Sequence, residues 1–322
     1  MKHQTGAALI ATALIHIGLA GASPQRSQSD VAVSGRDVTI LVTVHSHNDR
    51  MRAAAAQLQP EDFSVLEEKR RQRILSIKRP TEVPPILAVL VQDDLVSRVN
   101  NEINGIQEFI RNLPEGSHVM TAYLTTGTLS VAQDFTPDRQ RAAESLHAVR
   151  GSSSAAPFNP YVEVIEALRR FDSQPGGRRT VLLVSDGLDV SRGLSSASPT
   201  LSVDLDHAIR EAQRRGVAVF TFYAPSAGLT GVSRLAANYG QGSLNRLADE
   251  TGGVAFFSGI DFVTFDPYFK ELNEVLGHQW LITYRSTNTG SGFRRIEVKS
   301  EQEVHLHYPA GYPAGKEDES RR

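Results

Sequence analysis

The stretch ILAVLVQDDLVSRVNNEI, residues 86–103, decides the fold of this chain. Its first six residues are all apolar, as expected for a strand that is covered on both faces. Two acids, Asp93 and Asp94, end the run, and a helical pattern of apolar residues follows, which continues to Leu113. A buried strand that ends in acids before a helix is the unit from which α/β proteins build cation or phosphate sites.

The same alternation of apolar strands and amphipathic helices continues to residue 277. It predicts a Rossmann-like, doubly wound and mostly parallel sheet with helices on both faces. HVMTAYLTT and LSVAQDFT, separated by Gly127, predict a hairpin, one strand of which lies at the sheet edge. Capping patterns predict one helix from Thr136 to Val149 and another that Asp266 caps. GLTGVSRLAANYGQGS, residues 228–243, is predicted to be a loop.

Two regions of alternating apolar and polar residues flank this segment. Residues 31–80 predict three short strands in a small antiparallel sheet, joined by turns at Asn48, Asp49 and QPED. Residues 278–312 predict three more strands. Neither region has enough strands to bury a good core alone. We therefore expect them to pair into one β-sandwich-like module, with an α/β domain over residues 85–277 inserted between them. The charged tail, residues 313–322, is predicted to be disordered.

Composition and the N-terminus limit the possible functions. The net charge of −2 does not favour a nucleic-acid surface, and the lack of cysteine excludes disulfides and zinc–thiolate sites. Residues 1–22 combine a short polar start, an apolar run and the small residues AGA, as in a secretory signal cleaved after Ala22. No other segment of the sequence is long and apolar enough to cross a membrane. The chain is thus predicted to be exported, to the periplasm or out of the cell.

Four motifs, in order, resemble those of the von Willebrand factor type A-related proteins found in acidobacteria and their relatives. They are LQPEDFSVLEEKRRQRI (58–74), VLLVSDGLDVSR (181–192), LNRLADETGGVAFF (244–257) and the closing LITYRS, GFRRIEVK and YPAGYPAG segments. The resemblance implies a Rossmann-like domain with a metal-ion-dependent adhesion site at the carboxyl ends of its strands. Such a site holds Mg²⁺ or Mn²⁺ through an Asp-x-Ser-x-Ser element, a threonine and an aspartate, and leaves one position for a carboxylate of the partner.

Compared with that pattern, the site is degenerate. The resemblance assigns Asp93, Ser97 and Asp186 as metal ligands, and Asp93 and Asp186 would lie close together at adjacent strand ends. However, Leu95 stands at the middle serine, and the region of Phe158 stands at the threonine. Any Mg²⁺ or Mn²⁺ site would be weak or absent. The alternative is that these acids cap helix N-termini or face solvent.

Three further candidates come from the residues themselves. His45 and His47 share one face of a strand, as do His305 and His307, and four imidazoles on one sheet face could bind zinc. The alternative is four exposed positions on edge strands. Loops carrying Arg192, Arg234 and Tyr239 could form a recognition surface at the same rim as Asp186, or could be mobile connections. Ser97 or Ser185 could serve a hydrolase, but no motif in the sequence positions a base.

We therefore predict an exported, non-enzymatic protein of the binding or adhesion type, which docks a protein or peptide ligand on the carboxyl-end rim. A structural or assembly component of the cell envelope, without metal binding, is the first alternative. A serine hydrolase is the second.

Overall fold

The computed structural model of the chain describes residues 35–46 and 48–314. The predicted signal peptide with its cleavage site after Ala22, His47 and residues 315–322 of the predicted tail lie outside this part of the chain. The N-terminal part contains β1 (Arg36–His45), α1 (Asp49–Gln57), β2 (Phe63–Glu67), β3 (Arg70–Arg71) and β4 (Arg73–Lys78).

The central part contains β5 (Pro85–Gln92), α2 (Ile103–Arg111), β6 (His118–Thr125), β7 (Thr128–Thr136), α3 (Arg139–Glu144), α4 (Pro160–Arg170), β8 (Arg178–Ser185), α5 (Val203–Arg215), β9 (Val217–Tyr223), α6 (Arg234–Thr251), β10 (Ala255–Phe256) and α7 (Asp266–Gly277). The C-terminal part contains β11 (Gln279–Ser286), β12 (Gly292–Ser300), β13 (His305–His307) and β14 (Gly311–Ala314).

Six of these strands form the central sheet, in the order β10-β9-β8-β5-β6-β7. All neighbours are parallel except β6 and β7, and β7 lies at the edge. Every residue of β5 is buried, which explains why its sequence is almost wholly apolar. Helices α2, α3 and α7 contribute to the core on one face of the sheet, and α4, α5 and α6 contribute to the core on the other. The predicted α/β fold is confirmed.

The flanking regions form two four-stranded sheets, β13-β1-β11-β4 and β14-β12-β2-β3. Each sheet contains strands from both ends of the chain, and residues of both sheets share one apolar core that includes Val42, Val65, Ile282 and Val298. This is the predicted sandwich-like module. The prediction that the first region forms its own small sheet is wrong, because β1 and β4 both pair with β11 while β2 pairs with β12.

The sandwich packs at the amino end of the central sheet. Arg178, at the start of β8, is buried and donates hydrogen bonds to the carbonyls of Pro80 and Val83 at 2.7 and 3.1 Å. Thr43 Oγ1 of β1 donates to the carbonyl oxygen of Gly252, just before β10. The opposite, carboxyl end of the sheet is therefore left to the loops that precede the helices.

Four local predictions need correction. The segment that begins at Asn48 and Asp49, predicted only as a separator between two strands, forms helix α1 over residues 49–57, whose N-cap Asn48 accepts from Met51 N. Helix α3 covers only residues 139–144, and its cap is Asp138. Phe265, and not Asp266, is the N-cap of α7.

The fourth correction concerns the glycine-rich loop. Most of it belongs to α6, which begins at Arg234 after Ser233 accepts a hydrogen bond from Ala236 N. Glycine and polar residues suggested a loop, but the small residues Ala236, Ala237 and Gly240 let this helix pack closely on the sheet end.

Candidate functional site

Gln92 organises the carboxyl end of the central sheet. Its Oε1 accepts from Ser185 Oγ at 2.5 Å and from Asp186 N at 3.2 Å, and its Nε2 donates to Asp94 Oδ1 at 2.7 Å. One buried amide thus ties the end of β5 to the end of β8 and fixes two acids. The sequence interpretation missed this role, although Gln92 is the only polar residue within β5.

Both carboxylate oxygens of Asp186 accept hydrogen bonds from other groups of the protein. Its Oδ1 accepts from Leu188 N at 3.1 Å, and its Oδ2 accepts from Thr230 Oγ1 at 2.9 Å. Burial raises the pKa of this carboxyl above its ordinary value, while these hydrogen bonds and those from Ser226 and Gln92 oppose the shift. The contact with Thr230 also fastens the loop after β9 to the end of β8.

Asp94 is the acid whose carboxyl group feels the charge of Asp186. It is 2% exposed, and burial, followed by the charge of Asp186, raises its pKa to about 7. The backbone explains this position. Ala227 N donates to Asp94 O at 2.8 Å and Val96 N donates to Pro225 O at 3.0 Å, so the chain after Asp94 runs along the β9 loop. The sequence register had favoured Asp93 in this place.

Asp93 faces a different loop. Its Oδ1 accepts from Arg150 N at 2.9 Å, its Oδ2 lies 3.0 Å from Arg150 Nε, and its carbonyl accepts from Gly151 N at 3.1 Å. Asp93 therefore anchors the segment before α4. Ser97 is exposed in a short helical turn, residues 97–101, whereas Asp93 and Asp186 are buried.

The two positions that depart from the adhesion-site pattern have clear structural roles. Leu95 is fully buried in the apolar core. Phe158 is 59% exposed, and its carbonyl accepts from Val190 N at 2.8 Å. The next residue, Asn159, uses its Oδ1 to cap α4, and its Nδ2 donates to Asp204 Oδ2 at 2.7 Å.

These contacts do not fit Mg²⁺ or Mn²⁺ bound by Asp93, Ser97 and Asp186. Mg²⁺ requires near-octahedral oxygen ligands at about 2.0–2.1 Å. Both oxygens of Asp93 face Arg150, both oxygens of Asp186 accept hydrogen bonds, and Leu95 offers no ligand atom. Across residues 35–46 and 48–314, no group of three or more His, Asp or Glu side chains stands ready to hold a metal ion.

A further buried acid, Glu163 on α4, escaped the sequence interpretation. It is 2% exposed, and its Oε2 has no hydrogen-bond partner among the described residues. Burial raises its pKa to about 9, and the charges of Glu166 and Asp94 add to that shift while the backbone of Thr128 opposes it. Its place on the buried face of an amphipathic helix was the available signal.

Replacing Glu163 is expected to increase the stability of the protein by an amount that depends on pH. A carboxyl whose folded-state pKa is raised costs no stability below its unfolded value near 4.5, and it costs progressively more as the pH rises towards about 9. Glu163→Gln is expected to match the wild type at pH 5 and to be more stable at pH 8, on the order of 2 kcal/mol. Denaturant unfolding at several pH values measures this difference.

The matched control is Glu166→Gln, on the same helix but partly exposed beside Arg170. It should be neutral at pH 5 and should gain much less than Glu163→Gln at pH 8, because its charge adds only a secondary part to the shift that burial causes at Glu163. Part of the wild-type slope should remain below pH 7 in Glu163→Gln, because Asp94 contributes with the same sign. An unchanged pH profile would show that Glu163 is ionised without cost.

Exposed large hydrophobic residues concentrate at this end of the central sheet. Of the ten exposed large hydrophobic residues in the described part of the chain, eight lie at the carboxyl end of the central sheet, around the starts of α4, α5 and α6 and after β10. They are Phe158, Val162, Leu201, Val203, Leu229, Val232, Leu235 and Phe257. Because α5 packs beside both α4 and α6, the starts of these three helices are neighbours. We call these eight residues the apolar rim.

The predicted recognition residues lie around the apolar rim; Arg192 is on a loop as predicted, whereas Arg234 and Tyr239 belong to helix α6 and not to a loop. Arg192 is exposed on the loop after β8, Arg234 is exposed at the start of α6, and Tyr239 of α6 packs on a small apolar cluster with Leu188. Gly240 brings α6 against the end of β8, since a Cβ there would lie 1.9 Å from the carbonyl oxygen of Asp186.

The serine and histidine candidates are also placed. Ser185 is buried; its Oγ donates to Gln92 and accepts from Gly187 N at 2.9 Å, so its described partners include no imidazole. Ser97, the other candidate nucleophile, is exposed on the short helical turn described above. His45, His305 and His307 come together on strands β1 and β13 of the sandwich, and none of them belongs to the apolar rim.

Solved structures similar to this chain include von Willebrand factor type A proteins. The aerotolerance-related membrane protein from Bacteroides fragilis has a TM-score of 0.42 and 13% identity, and the match covers 60% of this chain and 98% of that one. A von Willebrand factor type A protein from Catenulispora acidiphila has a TM-score of 0.42 and 12% identity, over 81% and 76% of the two chains.

BatB from Bacteroides thetaiotaomicron has a TM-score of 0.41 and 16% identity, over 60% of this chain and 98% of that one. No protein-family model and no curated protein matches the sequence. Within residues 35–46 and 48–314, the helices are too short or too polar to cross a membrane.

Proposed function

We propose that this chain is an exported, non-enzymatic binding protein that docks a protein or peptide on the apolar rim. The observation that carries the proposal is the concentration of exposed large hydrophobic side chains at one end of the α/β domain. Contiguous exposed apolar surface on a folded protein commonly marks an interaction site. Export rests on the signal-like residues 1–22.

The buried polar network beneath the rim supports a prearranged surface. Gln92 joins β5 to β8, Asp186 joins β8 to the loop after β9, and Asp93 holds the segment before α4. The loops that carry the apolar rim are therefore tied to the rigid sheet end. A preformed surface loses less conformational entropy when a partner binds.

The charges around the rim indicate the chemistry of the partner. Four exposed arginines, Arg98, Arg150, Arg192 and Arg234, lie on the loops and helix starts of this end, whereas the exposed acids there include Asp261 and Asp266. We therefore propose a partner segment that combines apolar side chains with carboxylates. Complementary charges at an interface edge increase the association rate and the specificity.

Docking in this proposal does not require a divalent cation. The repulsion between Asp94 and Asp186 favours a cation in principle, but the hydrogen bonds of Asp93 and Asp186 leave few free oxygens. Any Mg²⁺ or Mn²⁺ at Asp93, Ser97 and Asp186 would thus be weak. Binding should have the same affinity with millimolar Mg²⁺ and with EDTA.

The test uses peptides selected from a random displayed library on the chain from residue 23 onward. We expect peptides rich in apolar and acidic residues, whose affinity falls at least about tenfold for Val232→Asp and for Leu235→Asp, since each change places a carboxylate on the apolar rim. Isothermal titration calorimetry with the selected peptides measures this loss, with and without Mg²⁺.

Phe293→Asp is the matched control, because Phe293 is an exposed hydrophobic residue of the sandwich, 45% exposed. It should leave the affinity unchanged. If peptides bind both rim variants normally and Phe293→Asp poorly, the sandwich is the binding part, as in an envelope component whose α/β domain is only a spacer. Strict dependence on Mg²⁺ would instead support the metal-dependent adhesion site.

A further inference from the structure

We propose that His45, His305 and His307 bind a transition-metal ion of the Zn²⁺ type at the junction of the sandwich and the α/β domain. This site is separate from the rim, since it lies on β1 and β13 of the sandwich. Neutral imidazole nitrogens are common ligands of Zn²⁺ and do not suit Mg²⁺.

The strand register brings the three imidazoles together. His45 pairs directly with His305 on the neighbouring antiparallel strand, and His307 lies two residues beyond His305. Directly opposed residues share a sheet face, and so do residues two apart on one strand. The rings of His45 and His307 are 5.5 Å apart, and those of His305 and His307 are 4.7 Å apart.

Two of the nitrogens already have the spacing of a chelate. His45 Nδ1 lies 3.4 Å from His307 Nε2, in a hydrogen bond between the two rings that a bound ion would replace. Two nitrogens on one tetrahedral Zn²⁺, at bond lengths of about 2.0–2.1 Å, are separated by about 3.3–3.4 Å. His305 is exposed and needs a side-chain rotation to supply the third nitrogen, so the described residues do not yet form a three-ligand set. Its exposure also gives an ion a path from solvent.

The outer contacts suit a bound cation. His45 Nε2 lies 2.7 Å from Glu271 Oε1 of α7, which is the histidine–carboxylate arrangement that orients metal-binding imidazoles. Asp249 interacts electrostatically with His305, and Glu303 lies two residues before it, paired with Arg50 at 2.6 Å. Because Glu271 belongs to the α/β domain, a metal ion would link that domain to the sandwich.

Zinc titration of the untagged chain from residue 23 onward tests the proposal. We expect one Zn²⁺ per chain by isothermal titration calorimetry, a rise in Tm that EDTA reverses, and visible absorption bands of tetrahedral Co²⁺. His305→Gln and His307→Gln should each weaken Zn²⁺ binding at least about tenfold. Glu271→Gln should weaken it about 10-fold to 100-fold through the orientation of His45.

His207→Gln, on the exposed surface of α5, is the matched control and should bind Zn²⁺ as the wild type does. Asp186→Asn should also leave Zn²⁺ affinity unchanged, which separates this site from the rim. Absence of binding to the wild type would overturn the proposal, and so would wild-type affinity in both His305→Gln and His307→Gln. Circular dichroism shows that each variant is folded.

Discussion

Gly240→Ala is expected to destabilise the chain by at least about 3 kcal/mol and to lower its Tm by roughly 6–12 °C. A Cβ at this position would lie 1.9 Å from the carbonyl oxygen of Asp186, which is backbone and has no side-chain freedom with which to move away. The carboxylate of Asp186 also accepts a hydrogen bond from Thr230, so a shift of Asp186 would affect that contact. The change should therefore push α6 from the end of β8 and disturb the rim. Thermal unfolding followed by circular dichroism measures the loss.

The control for this change is Gly277→Ala, at the last residue of α7, where a Cβ would meet nothing within 4 Å. Alanine is the better helix former, so this variant should be neutral or slightly more stable. Equal Tm values for the two glycine variants would show that α6 can shift without cost, and the close approach at Gly240 would then have no structural importance.

Glu67→Ala is expected to lower the free energy of unfolding by about 4 kcal/mol, because it removes a buried acceptor of the sandwich. The buried carboxylate of Glu67 accepts from Tyr284 Oη at 2.9 Å, Tyr312 Oη at 3.0 Å, Ser286 Oγ at 2.8 Å and Asn288 Nδ2 at 2.5 Å. Its removal leaves four donors facing a cavity. Burial alone would raise the pKa of Glu67, but these hydrogen bonds outweigh burial and lower it.

The sign of the pH effect at Glu67 is opposite to that at Glu163. A lowered folded-state pKa adds stability above the unfolded value near 4.5, and this contribution is lost as the pH falls through the folded value. Wild type should thus lose stability on acidification below about pH 4.5, and Glu67→Ala should lack this part of the loss. Glu67→Gln, which keeps one acceptor oxygen, should fall between the two in urea unfolding. Wild-type stability of Glu67→Ala would contradict the role of the four bonds.

The two cores have different sequence signals. The central sheet could be predicted because β5 and β8 are continuous apolar runs between amphipathic helices, and burial on both faces leaves such runs little other choice. The sequence predicted that strands from both ends of the chain form the sandwich together, but it did not predict which strand pairs with which. Alternation specifies which face of β1 is buried, whereas the partner of β1 is set by long-range registers such as that with β11.

The site was less predictable than the fold. The sequence located the acids at the ends of β5 and β8, since parallel strands place their carboxyl ends at one edge. It did not determine that Asp94 rather than Asp93 is coupled to Asp186, because neighbouring residues point in different directions only after the chain meets the loop of β9. The apolar rim was also missed, because its residues come from separate segments whose exposure depends on tertiary packing.

The amino-acid sequence by itself therefore determined the layered α/β architecture, the strand ends that carry acids and the shared strand face of His305 and His307. These follow from local periodicity. The tertiary structure alone decided which acid meets Asp186, that Glu163 is buried without a full set of partners, and that His45 lies 3.4 Å from His307. Such contacts join residues that are distant in the chain, and only the packing of one element on another fixes them.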